Sequence, residues 1–356
     1  MKQLTIIIPA YNMEAYLPQC VESMIRTTAR TALEIVIVND GSEDRTLRIA
    51  QKYADKYPDT VRVIDKPNGN YGSTINAALP VVQGEYVKIL DADDKFEGSL
   101  VTSFLTTLQK LRGVDMLVTP FVEVGKLRER KVKYNIYGRK VYENGKVYEA
   151  EQVFEDGAIR FFSMHGLCYR TELLRQMCYR QSEGISYTDQ EWAFYPLFRV
   201  ETIAFADIPI YRYNVTREGR TMDEAVVMQS LSQLMTVTET IAKFFLRKIS
   251  SEDFSAARLE FLRNVVGDRV KIILRRYLLV MSDTAFAESD FDVVYPKLMQ
   301  LVHSCQIENF TVPVNNMLKV DLLAYWQEQH QRLSPIKRKS LYLLDRVMTA
   351  VHSLIF

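Results

Sequence analysis

Three carboxylates stand within four residues in the segment Asp91-Ala92-Asp93-Asp94, directly after a largely apolar run at residues 86–90. Like charges at this spacing repel one another, so holding them together is costly without a cation. Hard divalent metals such as Mg²⁺ and Mn²⁺ take oxygen ligands and share them with substrate phosphates. The triplet therefore predicts a metal site that holds a phosphorylated ligand, with an acidic turn in solvent as the alternative.

Two earlier apolar runs, at residues 4–8 and 34–38, also end in residues suited to a ligand. Pro9 has no backbone N–H and lets the chain leave a sheet, and the ring of Tyr11 could cover a flat base. The Asp40 carboxylate can accept a hydrogen bond from the imino N–H of a pyrimidine. The alternatives are a structural role for Pro9 and Tyr11 and a helix N-cap for Asp40.

Two more carboxylates, Asp189 and Glu191, precede an aromatic stretch at residues 192–198. A carboxylate beside aromatic rings is suited to act as a general base, because apolar surroundings raise its pKa. The alternative is a carboxylate at a helix N-terminus, which pairs with the helix dipole.

Three further side chains are weaker candidates. His165 could line an acceptor site, although packing or capping is the favoured interpretation. Arg217 and Arg220 follow a tyrosine-bearing segment at residues 211–214 and could close over a diphosphate. Solvent-exposed arginines are the equal alternative.

The strands and helices predicted around these residues indicate where the candidate side chains lie in the fold. Four apolar runs have the composition of strands buried on both faces, at residues 4–8, 34–38, 61–64 and 86–90. Helical spacing separates them, as at Tyr16, Cys20 and Met24. Such units predict an α/β fold with a doubly wound, mostly parallel sheet and right-handed crossovers. Ligands bind outside the carboxyl ends of its strands, where Asp40 and Asp91 both stand.

The pattern changes after residue 220. Before it, residues 115–124 predict a further strand, and Asn-Gly between alternating arms predicts a β-hairpin over residues 139–148. Beyond it, glycine becomes rare and apolar residues recur at helical spacing. We therefore expect an α/β domain that carries the site over residues 1–220 and an all-helical domain over residues 221–356.

Composition excludes several classes of protein. The 356 residues are 47% hydrophobic and 25% charged, and the net charge of +1 gives no field for nucleic acid. No apolar run reaches the length of about eighteen residues that spans a membrane. The cysteines are scattered, which predicts no disulfide framework or zinc site and fits a reducing, cytoplasmic compartment: Cys20, Cys168, Cys178 and Cys305.

The C-terminal segment has a pattern of its own. The basic residues 337–339 precede an apolar stripe that includes Leu341, Leu344 and Met348. This pattern is typical of a helix that lies on an anionic membrane, which would place the protein at the inner face of the membrane. Packing against the helical domain, or against the partner in a homodimer, is the simpler alternative.

In combination and in order, the motifs are specific. The segments at residues 5–12, 38–44, 68–86 and 91–94 resemble family 2 glycosyltransferases of the GT-A fold, over roughly residues 1–220. The resemblance implies a divalent metal, Mn²⁺ or Mg²⁺, with Asp93 as its ligand on the donor diphosphate and Asp91 near the metal and the ribose. It also implies a donor-binding set: Pro9, Tyr11, Asp40, Asn68, Asn76 and Asp91.

The resemblance also implies the reaction. Asp189 matches the family's aspartate that deprotonates the acceptor hydroxyl. Where the family often has Glu-Asp, this chain has Thr188-Asp189, with Glu191 as the alternative base. The expected activity is an inverting, metal-dependent transfer of a hexosyl or N-acetylhexosaminyl unit from a nucleoside-diphosphate sugar, a UDP-sugar by preference. The acceptor would be a hydroxyl of a glycan or lipid-linked molecule in surface-polysaccharide synthesis.

Sequence features oppose two alternative functions. In the first, the domain is a non-catalytic GT-A subunit that scaffolds a partner transferase. The intact carboxylates at Asp40, Asp91, Asp93 and Asp189 oppose it, because a structural domain has little use for a costly acidic cluster. The second, a nucleotidyltransferase, would need a glycine- and lysine-rich loop after the first strand, and residues 9–14 do not provide one.

Overall fold

The computed structural model describes residues 2–133, 141–216, 231–281, 291–314, 320–329 and 332–355 of the chain. The chain divides into two compact units, Met1–Glu218 and Gly219–Phe356. The first combines strands and helices, and the second is mainly helical.

The strands of the first unit are β1 (Leu4–Ala10), β2 (Leu33–Asp40), β3 (Val61–Lys66), β4 (Tyr86–Ile89), β5 (Lys95–Phe96), β6 (Met116–Val118), β7 (Phe121–Val124), β8 (Glu129–Val132), β9 (Val147–Glu149), β10 (Leu167–Arg170), β11 (Thr202–Phe205) and β12 (Tyr211–Asn214). Among the described residues, the central sheet has the order β3-β2-β1-β4-β10-β6-β11-β9. Its first four strands are mutually parallel, and β10 and β9 run antiparallel to their neighbours. The prediction of an α/β fold with a mostly parallel sheet is confirmed.

The centre of this sheet brings three strand ends together. Strands β1 and β2 are buried along their whole length, as their unbroken apolar sequences require. In the parallel register, Ala10 lies opposite Asn39, and Ile7 lies opposite Ile89. The segments that follow these strands therefore leave the sheet at one edge, which we call the carboxyl edge. That edge carries Tyr11, Asp40 and Asp91.

Helices connect these strands: α1 (Leu17–Ile25), α2 (Thr46–Lys56), α3 (Asn70–Ala78), α4 (Val101–Lys110), α5 (Ala150–Glu155), α6 (Thr171–Gln176) and α7 (Asp189–Phe194). In α1, Leu17, Cys20, Val21 and Met24 are buried, which is the stripe of an amphipathic helix. Helix α3 follows the loop after β3, and the loop before α7 contacts that loop, since the Gly184 N–H donates to the Gly69 carbonyl oxygen at 2.8 Å.

A second, four-stranded sheet has the order β5-β12-β7-β8. The prediction of one strand over residues 115–124 is wrong, because this run contributes β6 to the central sheet and β7 to the second sheet. Pro120, which lacks a backbone N–H, stands between the two strands. The second sheet thereby places β12 beside the acidic triplet, since β5 follows Asp94 directly and pairs with β12.

The predicted hairpin over residues 139–148 is also wrong, although residues 139 and 140 lie outside the described residues. Its turn forms, with Gly145 at a φ of 77°. The strand after the turn, β9, pairs instead with β11, and the Gly145 N–H donates to the carbonyl of Phe205 at 2.7 Å. Tyr142 is buried against the ring of Phe205, at 4.0 Å between ring centroids. Strand β9 therefore pairs with β11, which is distant in sequence, and not with the segment before the turn.

The second unit contains α8 (Leu231–Ser251), α9 (Ala256–Arg275) with a π-helical continuation at Arg276–Val280, α10 (Phe291–Ser304), α11 (Leu322–Gln329) and α12 (Pro335–Ile355). Its core includes the fully buried Ile241, Phe245, Leu262, Val266 and Val270. The prediction of a helical C-terminal region is confirmed. Within the described ranges, no helix has both the length and the apolarity needed to cross a bilayer.

Candidate active site

The acidic triplet follows β4 and is held by two tyrosines. The Tyr71 hydroxyl donates to Asp91 Oδ1 at 2.9 Å, and the Asp91 backbone N–H donates to the Tyr211 hydroxyl oxygen at 3.2 Å. Burial, followed by the charges of Asp94 and Asp93, raises the pKa of the Asp91 carboxyl well above its usual range. A bound cation would relieve both effects, so the chemistry of this group suits a metal.

Asp94 fixes the triplet to the second sheet. Its carboxylate is buried and accepts from the Tyr211 hydroxyl at 2.6 Å and from the Asn214 backbone N–H at 2.7 Å. Both donors belong to β12, which is far from Asp94 in sequence. These contacts explain how an acidic side chain can be buried beside Asp91, since hydrogen bonds to the ionised form offset its desolvation.

His165 completes a group of three potential metal ligands. One ligand atom each of Asp91, Asp94 and His165 lies within 4.8 Å of the others, and Asp93 is not part of this group. The His165 ring packs against Phe121, Tyr211 and Tyr213, at centroid distances of 4.9, 4.9 and 4.3 Å. Its Nδ1 shares a hydrogen bond of 2.8 Å with the Ser163 hydroxyl. Two carboxylates and a neutral imidazole are ligands that Mn²⁺ accepts.

A buried lysine lies behind this group. Lys88 belongs to β4, is fully buried, and donates from Nζ to the carbonyl oxygens of His165 and Leu167 at 2.6 and 3.0 Å. Its Nζ also lies 5.5 Å from the centre of the Tyr211 ring. Burial lowers the pKa of Lys88 to about 8. Lys88 therefore links β4 to the segment that carries His165.

The predicted base pocket lies at the ends of β1 and β2. Asp40 Oδ1 accepts from Lys66 Nζ at 2.7 Å, from the Gly69 N–H at 3.0 Å and from the Ser73 hydroxyl at 3.3 Å. Pro9 is buried within β1, whereas the Tyr11 side chain is 45% exposed beside the same edge. The structure therefore fixes Asp40 firmly and leaves the Tyr11 ring available for a ligand.

The two asparagines of the predicted donor set have protein partners. Asn68 donates from Nδ2 to the backbone oxygen of Asp40 at 2.9 Å. Asn76 donates from Nδ2 to the Gln181 carbonyl oxygen and to Glu183 Oε1, both at 2.8 Å, and its Oδ1 accepts from the Gln181 N–H at 2.8 Å. The donor-binding role of Asn76 stays a prediction, and its amide is occupied by the loop before α7.

The two candidate bases differ sharply. Glu191 is fully buried, and its two oxygens accept from the Ser182 N–H at 2.6 Å and from the Ser182 hydroxyl at 2.7 Å. Burial raises the pKa of Glu191. Asp189 is partly exposed at the start of α7. Its charge contributes to the raised pKa values of both Asp91 and Tyr71, after burial and nearer charges. Asp189 therefore lies near enough to the triplet for its charge to act there, whereas Glu191 is bound by the loop that carries Ser182.

Sequence reasoning assigned no individual role to three neighbours of the triplet. Tyr71, Tyr211 and Lys88 contact Asp91, Asp94 or His165, yet a tyrosine or lysine in a strand or helix carries no local signal of such a role. Lys88 is a partial exception, because a lysine inside an otherwise apolar strand is rarely buried without a partner. The candidates Arg217 and Arg220 lie outside the described residues.

We predict that His165 stays neutral through the physiological pH range. Burial, and then the charge of Lys88, lowers its pKa to about 3. The unfolded chain binds a proton near pH 6.5, so the stability from neutral His165 is complete above about pH 6.5 and falls as the pH drops towards about 3. Histidine-selective NMR, with His165→Asn to assign the signal, should show no His165 titration between about pH 8 and about pH 5. A midpoint near 6.5 would contradict the prediction.

Comparison with known proteins gives the relatives of this chain. Residues 5–178 match the family model described as glycosyl transferase family 2. The uncharacterized glycosyltransferase EpsJ of Bacillus subtilis is 28% identical over 212 residues, which cover 59% of this chain and 60% of EpsJ. The chondroitin synthase of Pasteurella multocida is 42% identical over 98 residues, which cover 28% of this chain and 10% of the synthase. The chain thus covers less than two thirds of either relative.

Solved structures share the fold. The crystal structure of S. aureus TarS 1–349 has a TM-score of 0.58 at 18% identity, and the match covers 84% of this chain and 81% of that one. The same protein in complex with UDP-GlcNAc has a TM-score of 0.51 at 18% identity, with 92% of each chain covered. Residues 5–178, just under half of the chain, thus match glycosyl transferase family 2, and the first unit shares its fold with these solved structures.

Proposed function

We propose that the chain is an inverting, metal-dependent glycosyltransferase. It would transfer a hexosyl or N-acetylhexosaminyl unit from a UDP-sugar to a hydroxyl group of a glycan or lipid-linked acceptor. The P. multocida relative is named a chondroitin synthase, which supports a role in polysaccharide synthesis. The complex of S. aureus TarS with UDP-GlcNAc supports uridine diphosphate as the nucleotide part of the donor.

One observation carries this proposal. The Tyr71 hydroxyl donates to Asp91 Oδ1 at 2.9 Å, and the charge of Asp189, on a different element, is near enough to add to the raised pKa of the same hydroxyl. Asp91 ends a buried strand, and Asp189 begins a helix. A transferase needs this pairing, with one carboxylate at the donor diphosphate and another at the acceptor. A non-catalytic subunit would gain nothing from such a costly juxtaposition.

The donor would lie along the carboxyl edge. Tyr11 offers an exposed ring to the uracil, and Asp40 offers a carboxylate that Lys66, Gly69 and Ser73 hold in one orientation. Asp91 follows a parallel strand beside β1, so the diphosphate would reach it from the base pocket. Pre-ordered contacts of this kind lower the entropy cost of binding.

The metal would be held by the acidic triplet. Asp93 and Asp91 are the ligands implied by the family resemblance, and Asp94 and His165 offer further ligand atoms beside Asp91. A bound divalent cation supplies charge that stabilises a diphosphate leaving group, so no acid is required on that side. Tyr71 and Tyr211 orient Asp91 for this task through the hydrogen bonds described above.

The acceptor proton would go to Asp189. Glu191 is poorly suited, because both of its oxygens already accept hydrogen bonds from Ser182 and it is fully buried. Asp189 is partly exposed, and its charge adds to the raised pKa of Asp91. A single base then suffices for in-line displacement with inversion.

Calorimetry with uridine diphosphate tests the donor site. We expect binding in the presence of Mn²⁺ and a loss of affinity of at least about tenfold when EDTA removes the metal, because the acidic triplet would repel the diphosphate without a cation to neutralise it. Asp93→Ala should show the same loss even with Mn²⁺. The matched control Asp55→Ala, on the exposed side of α2, should bind as the wild type does. Metal-independent binding, or none, would contradict the proposed site.

A lipid-linked acceptor would require access to a membrane surface, and α12 has a suitable face. Ile336 and Leu343 are 81% and 63% exposed and stand seven residues apart, on one side of the helix. Lys339 lies between them on the same side and is exposed. Asp345 points away from this face and pairs with Arg275 at 2.9 Å. We infer that this face binds anionic lipid at the inner surface of the membrane.

Vesicle flotation tests this surface. The chain should float with vesicles that contain phosphatidylglycerol and remain in the lower fractions with phosphatidylcholine alone, because basic residues flank the apolar side chains. The double variant Ile336→Glu, Leu343→Glu should lose flotation without loss of folding, since both positions are exposed. Leu127→Glu, at a fully exposed leucine of the first unit, is the matched control. Equal flotation of both variants would exclude this face, and dimerisation through α12 would then be tested by light scattering.

A further inference from the structure

A short loop contacts α3 on one side and α7, the helix that begins at Asp189, on the other. It comprises residues 181–184, between α6 and α7, and we call it the clasp segment. Asn76 of α3 engages it with both ends of its amide: Nδ2 donates to the Gln181 carbonyl oxygen and to Glu183 Oε1, and Oδ1 accepts from the Gln181 N–H, all at 2.8 Å. The Asn76 amide thus satisfies both backbone hydrogen-bonding groups of Gln181, as a neighbouring strand would in a sheet.

The same loop touches α3 through its backbone. A Cβ atom on Gly72 would lie 2.0 Å from the Ser182 carbonyl oxygen, so only glycine permits this approach. The Gly184 N–H donates to the Gly69 carbonyl oxygen at 2.8 Å, and the Gly69 N–H donates to Asp40 Oδ1 at 3.0 Å. The clasp segment is therefore two hydrogen bonds away from the carboxylate of the base pocket.

On its other side, the clasp segment is fixed to α7. Ser182 donates its N–H and its hydroxyl to the two oxygens of Glu191, at 2.6 and 2.7 Å. Glu191 is fully buried and lies in the first turn of α7, two residues after Asp189. Because a buried carboxylate loses far more than an exposed one when its donors are removed, this contact holds the start of α7 in place.

These contacts form one continuous connection from the donor side to Asp189. We propose that Asn76 and Glu191 are positioning residues: through the clasp segment they hold the start of α7, and with it Asp189, in place near the triplet, and Asn76 does not contact the donor. The proposal rests on the proposed function, in which Asp189 is the base. It assigns Asn76 a different role from the donor contact that the family resemblance implies.

The proposal predicts a separation between donor binding and turnover. In Asn76→Ala, the clasp segment loses three hydrogen bonds, while Asp40 and the triplet keep their partners. The Kd for UDP with Mn²⁺ should stay within about twofold, and UDP release from UDP-glucose or UDP-N-acetylglucosamine should fall by at least about tenfold, because misplacement of a base lowers kcat. Glu191→Gln should give the same pattern. Because Asn76 and Glu191 act through the same loop, the variant that carries both substitutions should have a kcat no lower than that of the slower single variant.

Hydrogen–deuterium exchange gives a readout that does not depend on activity. Peptides over residues 179–188 should exchange faster in both variants than in the wild type, and the acidic limb of the pH–rate profile should shift, because the environment of Asp189 changes. Gln176→Ala is the matched control, since this exposed amide donates to Glu172 of its own helix at 3.2 Å. Should Asn76→Ala fail to fold, Ser182→Ala removes one bond to Glu191 and should give the same changes at smaller size.

Two results would overturn the proposal. One is a UDP affinity that falls about tenfold in Asn76→Ala with unchanged exchange of the clasp segment, which would make Asn76 a donor contact. The other is a wild-type kcat in Asn76→Ala although the clasp segment exchanges faster, which would show that the clasp segment does not position Asp189. Failure of the proposed function is distinct, because then the wild-type chain itself would neither bind UDP nor release it from a UDP-sugar.

Discussion

Crowding of negative charge at the carboxyl edge is the constraint on which the rest of the site depends. Asp91, Asp93 and Asp94 follow one strand, and Asp189 approaches from the start of α7. Burial and mutual repulsion raise the pKa of Asp91 well above its usual range, so the folded chain tolerates this cluster only with compensating contacts. Tyr71 supplies one at Asp91, and Tyr211 supplies one at Asp94. A divalent cation would neutralise the negative charge of these carboxylates that the two tyrosines do not compensate.

The surrounding elements hold the groups that meet this constraint. Strand β12 reaches the triplet through Tyr211 and Asn214, and it is there because β5 pairs with it in the second sheet. Lys88 fixes the carbonyl of His165 from within β4, so the imidazole stays beside Asp91 and Asp94. Removal of any of these supports would leave a buried charge or polar group without its partner, which costs more than the bond itself.

Much of the fold could be predicted because its signals are local. The strands expected at residues 4–8 and 34–38 exist as β1 and β2, and unbroken apolar sequence is sufficient to identify strands buried on both faces. The two failures have distant causes. The strand after Gly145 pairs with β11, and the run at residues 115–124 divides between two sheets. Neither partner is visible in the local pattern.

For the candidate site, the sequence identified the candidate residues but not the partners that hold them. Asp40, Asp91 and Asp189 could be singled out, because strand ends and helix starts can be identified from sequence, and their roles remain proposals. The partners of Asp94 and Asn76 could not, since Tyr211 and Gln181 lie far along the chain. The choice between Asp189 and Glu191 also needed the structure, because only geometry shows that Ser182 occupies both oxygens of Glu191.

The central claim is that the acidic triplet binds the metal and the donor, whereas Asp189 accepts the proton of the acceptor hydroxyl. Asp189→Asn tests it most directly, because the amide keeps the size of the side chain and removes its basicity. With Mn²⁺ present, the variant should bind UDP as tightly as the wild type and transfer sugar at least about a hundredfold more slowly. Transfer at the wild-type rate, with UDP binding intact, would contradict the account and exclude Asp189 as the base.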